Sequence, residues 1–340
     1  MKSLRVEAID WMKGLCIISI VLLHVEEGIF PMWLNTVIGM FMITGFYVTS
    51  GWVHGLKYEK PVNLKVFLRK RLKSLGVPYF WFTLILLFVD VFFILLGHYD
   101  FNIFLRDVYK SLVLRGIGTL WFLPVLFLGE LAFMLFKSKK LNMAGLIVGL
   151  VVNSVLSFVI VQVEHGISDT MSSIIKAPLL VVKNSATALF VITSTYYVSK
   201  SCVNKTMGKM NLPTGLLLFI ISFICIYFNV SSLFSGSLFI SSFVSLILSW
   251  LEPLGILILL SHIKRNNIML RYLNYWGRNS IILMTIHYSI LMELCIFVCN
   301  KALGLPMYGI TSWVCFMLIM ALQYPLTELI NKKCKFLIGR

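Results

Sequence analysis

The sequence predicts an all-α integral membrane protein, a bundle of about ten transmembrane helices with both termini cytoplasmic. Three observations carry that reading. The 340-residue chain is 59% hydrophobic and only 13% charged, with a mean hydropathy of +0.90, far from the composition of soluble domains. Its apolar runs recur at the length of roughly 20 residues that a helix needs to cross hydrocarbon. Its basic residues alternate from loop to loop.

In chain order the expected spans are 9–27, 31–53, 76–97, 119–136, 143–162, 178–199, 212–229, 237–262, 280–299 and 308–330. The first carries Lys13 and His24 and no small-residue cleavage pattern after its apolar stretch, so it reads as a helix rather than a signal peptide. Residues 54–75 form a basic, amphipathic connection ending in VFLRKRLKSLGVPYF, with Pro78 near the start of the next helix. Residues 98–118, with apolar positions at helical spacing, suit a helix lying along the outer interface. With no soluble segment, long linker or low-complexity tract, residues 1–340 read as one polytopic domain.

The formal charge of +16 follows topology rather than a nucleic-acid partner. One set of loops, with both tails, holds 23 of the 30 basic residues; the opposite loops hold Arg106, Lys110, Arg115 and Lys301. The positive-inside rule places the first set in the cytoplasm, and an even number of spans satisfies it. Seven cysteines show neither a disulfide framework nor ligand spacing with histidine, so no metal is expected, and the Cys295–Cys299 pair reads as packing.

The first span is the most informative. Ionisable groups are costly in hydrocarbon, and this segment holds Asp10, Lys13 and His24. Eleven residues separate Lys13 from His24, which on a helix is about 16 Å of rise and about 20° of net rotation, so both occupy one stripe. That predicts one chamber shared by the cation and the imidazole. His24 is the candidate proton-transfer group. Lys13 either grips an anionic group or snorkels to the surface, and Asp10 reads as its i, i+3 partner.

Other candidates are scattered. His287, two turns past Ser280, either lines the same cavity from the opposite side of the bundle or packs as a satisfied structural histidine. Glu130 and Glu252 are intramembrane carboxylates that need a partner, a proton or water. Trp121 either stacks a sugar or belongs to the aromatic belt that Phe122 also suits. Arg69, Lys70, Arg71 and Lys73 offer a seat for the phosphates of a nucleotide-like ligand, although anionic lipid explains the same cluster.

Four segments, IDWMKGLCIISIVLLH, FMITGFYVTSGWV, VFLRKRLKSLGVPYF and GTLWFLPVLFLGEL, resemble in order the motifs of the membrane-bound acyltransferase 3 family, in its fucose 4-O-acetylase-like branch. LNYWGRNSIILMTIHYSI is similar to a late family segment, with Met284 near the position where that segment usually has Tyr. Lys13 stands where the family more often has Arg; a lysine keeps the charge but not the bidentate fork. The resemblance implies an O-acetyltransferase of a bacterial inner membrane, moving acetyl from cytoplasmic acetyl-CoA to a sugar hydroxyl of a surface polysaccharide or its lipid-linked precursor. It maps the family's basic residue and histidine onto Lys13 and His24 and the family's basic connection onto Arg69 and Arg71; the residues themselves add Lys73 and Lys13 for the donor and set Asp10 beside the catalytic pair. Trp121, Glu130 and His287 remain for the acceptor. The expected partners are membrane lipid, the glycan and acetyl-CoA, with homo-oligomerisation left open. The rival readings are a secondary transporter or lipid-sugar flippase, and a non-catalytic member of an export assembly.

Overall fold

The computed structural model describes residues 7–25, 29–56, 63–203, 212–234, 237–263, 267–299, 303–306 and 308–340. Of the basic loop residues counted above, Lys2, Arg5, Lys57, Lys60, Lys205, Lys209, Lys264, Arg265 and Lys301 lie outside them.

The helices are α1 (Glu7–Val25), α2 (Met32–Leu56), α3 (Leu64–Arg71), α4 (Val77–Leu95), α5 (Phe101–Leu112), α6 (Phe122–Ser138) and α7 (Asn142–Gly166). They continue with α8 (Asp169–Val203), α9 (Leu212–Tyr227), α10 (Leu238–Ser261), α11 (Ile268–Arg278), α12 (Ser280–Ile286), α13 (Glu293–Phe297) and α14 (Ile310–Lys333). Nine helical stretches among the described residues are long and apolar enough to cross a membrane. The remaining expected span, 212–229, seventh in the chain, is α9, whose 16 residues rise about 24 Å, short of the roughly 30 Å hydrocarbon thickness. The chain is an all-α, multi-span membrane protein.

Two π-helical turns fuse helices into longer rods. Leu72–Gly76 joins α3 to α4, and His287–Met292 joins α12 to α13. A π turn accommodates one extra residue, a device that recurs at functional sites.

The first helix is the axis of the bundle: 67% of its apolar window is enclosed, against 28% for the peripheral α7. It packs on α2, α10, α11, α12 and α14. Its crossing with α11 is backbone to backbone. A Cβ on Gly277 would collide with the Asp10 carbonyl oxygen, and one on Gly14 with that of Leu273. Only glycine at both positions lets the two helices meet this closely. On the neighbouring side Gly51 of α2 seats against Ile192 of α8.

The 98–118 segment contains the expected surface helix, α5, but its polarity is inverted. Phe101, Leu105 and Leu112 point outward, whereas Asp107 is 5% exposed. A polar face turned inward over a cavity and an apolar face turned to lipid give the same helical periodicity as an ordinary interfacial helix.

Candidate active site

Lys13 and His24, on one stripe of α1 by helical geometry, line different cavities. The cavity at the basic end, about 510 Å³, is bounded by Lys13, Ser50, His54, Lys70, Arg71 and Glu130, among others. The cavity at the opposite end, about 530 Å³, is bounded by His24, Trp121, Tyr288 and a ring of charged side chains. The expectation of one shared chamber is therefore corrected. Helical arithmetic placed the two groups on one stripe but could not see the layer that other helices insert between them.

That layer comes from α6 and α12. Phe122 and Met284 cap the basic-end cavity while Thr119 floors the other, and the Thr119 hydroxyl donates to the Met284 carbonyl at 2.5 Å. Phe122 is held by Phe46 (ring centroids 5.1 Å apart) and by Tyr47 stacked at 13°. The segment before it is rigid. Gly116 and Gly118 have φ of +67° and +51°, a region that disfavours other residues. A Cβ on Gly116 would come within 2.7 Å of the Trp121 nitrogen, and one on Gly118 would meet Ser289 and Tyr288.

At the basic end, the Arg71 guanidinium is clamped by Glu130: Nη2 donates to Oε1 at 2.7 Å and Nε lies 2.5 Å from Oε2. The Ser50 hydroxyl also donates to Glu130. Glu130 is 1% exposed and Arg71 27%, so a buried carboxylate holds a guanidinium whose remaining N–H groups face the cavity. Such a fork suits phosphate or carbonyl oxygen. Lys13 lies within electrostatic reach of Glu130. Glu130 thus sits apart from Trp121, at the other end of the bundle, where it orients Arg71. Of the basic cluster, Lys70 and Arg71 line the cavity while Arg69 and Lys73 do not; both of the latter are exposed. Asp10 does not line either cavity; it lies 3.7 Å from the Arg278 guanidinium of α11.

At the opposite end, the hydrogen-bond network assigns the imidazole protons. His24 Nδ1 is 2.7 Å from the Ile20 carbonyl oxygen, and His287 Nδ1 is 2.7 Å from that of Leu283. Each neutral ring therefore carries its proton on Nδ1, leaving Nε2 as acceptor. His287 Nε2 lies 3.4 Å from His24 Nδ1, so the His24 N–H is shared between a carbonyl and a second imidazole. His24 Nε2 is left as an unprotonated base. His287 is fully buried and backs His24 rather than lining either cavity. Tyr288, delivered by the π turn, packs its ring 4.8 Å from that of His24.

A ring of charge around this cavity was not among the sequence candidates. It comprises Asp90, Tyr99, Arg106, Asp107, Lys110, Arg115 and Glu293. Asp107 binds both Arg106 (3.0 Å) and Lys110 (3.4 Å). Burial pushes the Lys110 ammonium below its ordinary range, opposed by Asp107. Burial likewise raises the Tyr99 phenol, whose hydroxyl bonds Glu293. The sequence did carry a signal: three of the four basic residues on the sparsely charged side fall within 106–115, beside Asp107.

An imidazole backed by a second imidazole at one cavity, three helical turns from a cation-lined second cavity, is an arrangement that can serve group transfer. A family model described as an acyltransferase domain matches residues 6–325. The chain belongs to the acyltransferase 3 family. It is a membrane acyltransferase, and the resemblance to the acyltransferase 3 family read from its motifs stands. No curated protein and no solved structure matches the chain. In this acyltransferase the motif residues acquire distinct duties: Ser50 anchors Glu130, Gly51 and Gly277 permit helix contacts, and Thr119 of GTLW joins α12.

Proposed function

We propose that this acyltransferase is a bacterial inner-membrane O-acetyltransferase, moving acetyl from cytoplasmic acetyl-CoA to a hydroxyl of a surface glycan or its lipid-linked precursor. The observation that carries the reading is the pair of cavities, one lined by cations at the basic end and one bordered by His24, whose linings meet where Thr119 bonds Met284. A charged donor and a polar acceptor enter from opposite ends and react at that junction.

Lys13, Lys70 and Arg71 hold the donor, with Glu130 fixing Arg71. The thioester carbonyl is presented past Phe122 and Met284. His24 Nε2 removes the proton from the sugar hydroxyl as the oxygen attacks the carbonyl carbon. Collapse of the tetrahedral adduct breaks the carbon–sulfur bond, and the imidazolium returns its proton to the departing thiolate. His287, accepting from His24 Nδ1–H, keeps the correct tautomer and supports the charged ring. Transfer through an N-acetyl-His24 intermediate uses the same nitrogen as nucleophile.

Purified protein in nanodiscs, supplied with labelled acetyl-CoA and membrane glycolipid, tests this. Acetylated product that disappears in His24→Ala is the expected result. Full activity of His24→Ala overturns both routes, and flipping or uptake without acetyl-CoA points instead to a transporter.

A further inference from the structure

The charge around the far cavity is unevenly partnered. Asp107 is shared by Arg106 and Lys110, and Glu293 receives the Tyr99 hydroxyl. Two groups are left over. Arg115 forms no ion pair among the described residues; its guanidinium lies over the Trp121 ring, 5.5 Å from the centroid. Burial disfavours its charge, a cost with no opposing carboxylate. Across the same cavity, Asp90 is 5% exposed and its Oδ2 has no hydrogen-bond donor.

Each leftover specifies a ligand group. A guanidinium stacked on an indole keeps its N–H edge free for a planar oxyanion, while the indole offers a flat apolar face to a sugar ring. A buried carboxylate oxygen without a donor is matched by a hydroxyl. The positions are preorganised: the Arg115 and Gly116 amides both donate to the Lys110 carbonyl, at 2.8 and 3.0 Å, and the glycine turn fixes Trp121 behind them.

We infer that Arg115 and Trp121 form an anion subsite, and that the acceptor is an acidic glycan whose oxyanion binds Arg115 while a ring hydroxyl binds Asp90. This rests on the proposed acceptor reading of the cavity and narrows it to a substrate class. The oxyanion is either a carboxylate on the sugar or a phosphate of a lipid linkage, which present the same acceptor geometry.

Three probes separate these sources: octyl β-glucuronide, octyl β-glucoside, and a polyprenyl-diphosphate-linked glucose. With full-length protein in nanodiscs, equilibrium binding without acetyl-CoA is measured first, then kcat/KM with it. The expected result is tighter binding and higher kcat/KM for a charged probe than for octyl β-glucoside, on the order of tenfold to a hundredfold. Preference for the glucuronide puts the anion on the sugar; preference for the diphosphate puts it at the linkage. Arg115→Gln should erase the ratio and Arg115→Lys should keep part of it, which separates lost recognition from lost folding. Equal binding of charged and neutral probes, or an unchanged ratio in Arg115→Gln, overturns the inference. Charge-selective binding without acetyl transfer retains it and sinks the proposed reaction; acetyl transfer without charge selectivity does the reverse.

Discussion

His287 Nε2 lies 3.4 Å from His24 Nδ1, so the imidazole that borders the far cavity is backed by a second imidazole that faces nothing but protein. The pair follows the logic of a base oriented by a third group. His24→Ala should lower acetyl transfer by about two to four orders of magnitude, the usual contribution of a positioned base. His287→Ala should lower kcat about tenfold with little change in KM, as an orienting partner does, and should alter the pH profile of kcat. A His287→Ala enzyme with wild-type kcat and profile would leave His24 without its orienter.

Glu130 and Arg71 supply a second test. Removing one partner of a buried ion pair costs about 3 to 5 kcal/mol, and Glu130 is the buried member. Arg71→Ala, which strands the buried Glu130 carboxylate, should lower the thermal midpoint in detergent and raise KM for acetyl-CoA. The double variant Glu130→Ala, Arg71→Ala should be more stable than Arg71→Ala alone, because no uncompensated buried charge remains. Additive destabilisation would show that the two side chains do not act as a pair.

The layer between the cavities makes a prediction about leakage. Phe122→Ala removes the ring at the junction of the two cavities and should raise hydrolysis of acetyl-CoA in the absence of acceptor, because water gains access to the thioester. Release of free coenzyme A thiol measures it. Unchanged hydrolysis, with a thermal midpoint that shows intact folding, would place the barrier elsewhere.

Gly277 bears on the scaffold rather than the chemistry. A methyl group there collides with the Asp10 carbonyl oxygen, and overpacking of this kind costs about 1 to 3 kcal/mol. Gly277→Ala should lower the thermal midpoint, while Gly166→Ala, where a Cβ meets nothing, should not. Equal midpoints would mean that α1 and α11 are not in backbone contact.

The fold was legible because hydrocarbon thickness writes itself into run length and the basic loops into sidedness. The α1 stripe was legible because 11 residues are close to three full turns. The division of the chamber was not, since Phe122 and Met284 belong to helices 162 residues apart in sequence. Nor could the chain alone distinguish Lys70 and Arg71 from Arg69 and Lys73, because a π turn begins directly after Arg71 and the facing helix decides which side is the cavity. Glu130 read as an orphan carboxylate; its partner stands 59 residues earlier. The far ring of charge was signalled only by the clustering of Arg106, Lys110 and Arg115, because α5 shows one periodicity whichever face turns inward.

The π turn at His287–Met292 has a consequence for how this sequence tolerates change. One residue more or fewer on an α-helix swings everything downstream by about 100°. This wide turn absorbs the extra residue locally, so deleting one of its positions would restore regular winding with α12 and α13 in place, and would change which side chains the turn itself presents, Tyr288 and Ser289 at the far cavity among them. An insertion or deletion in the regular turns on either side has no such slack.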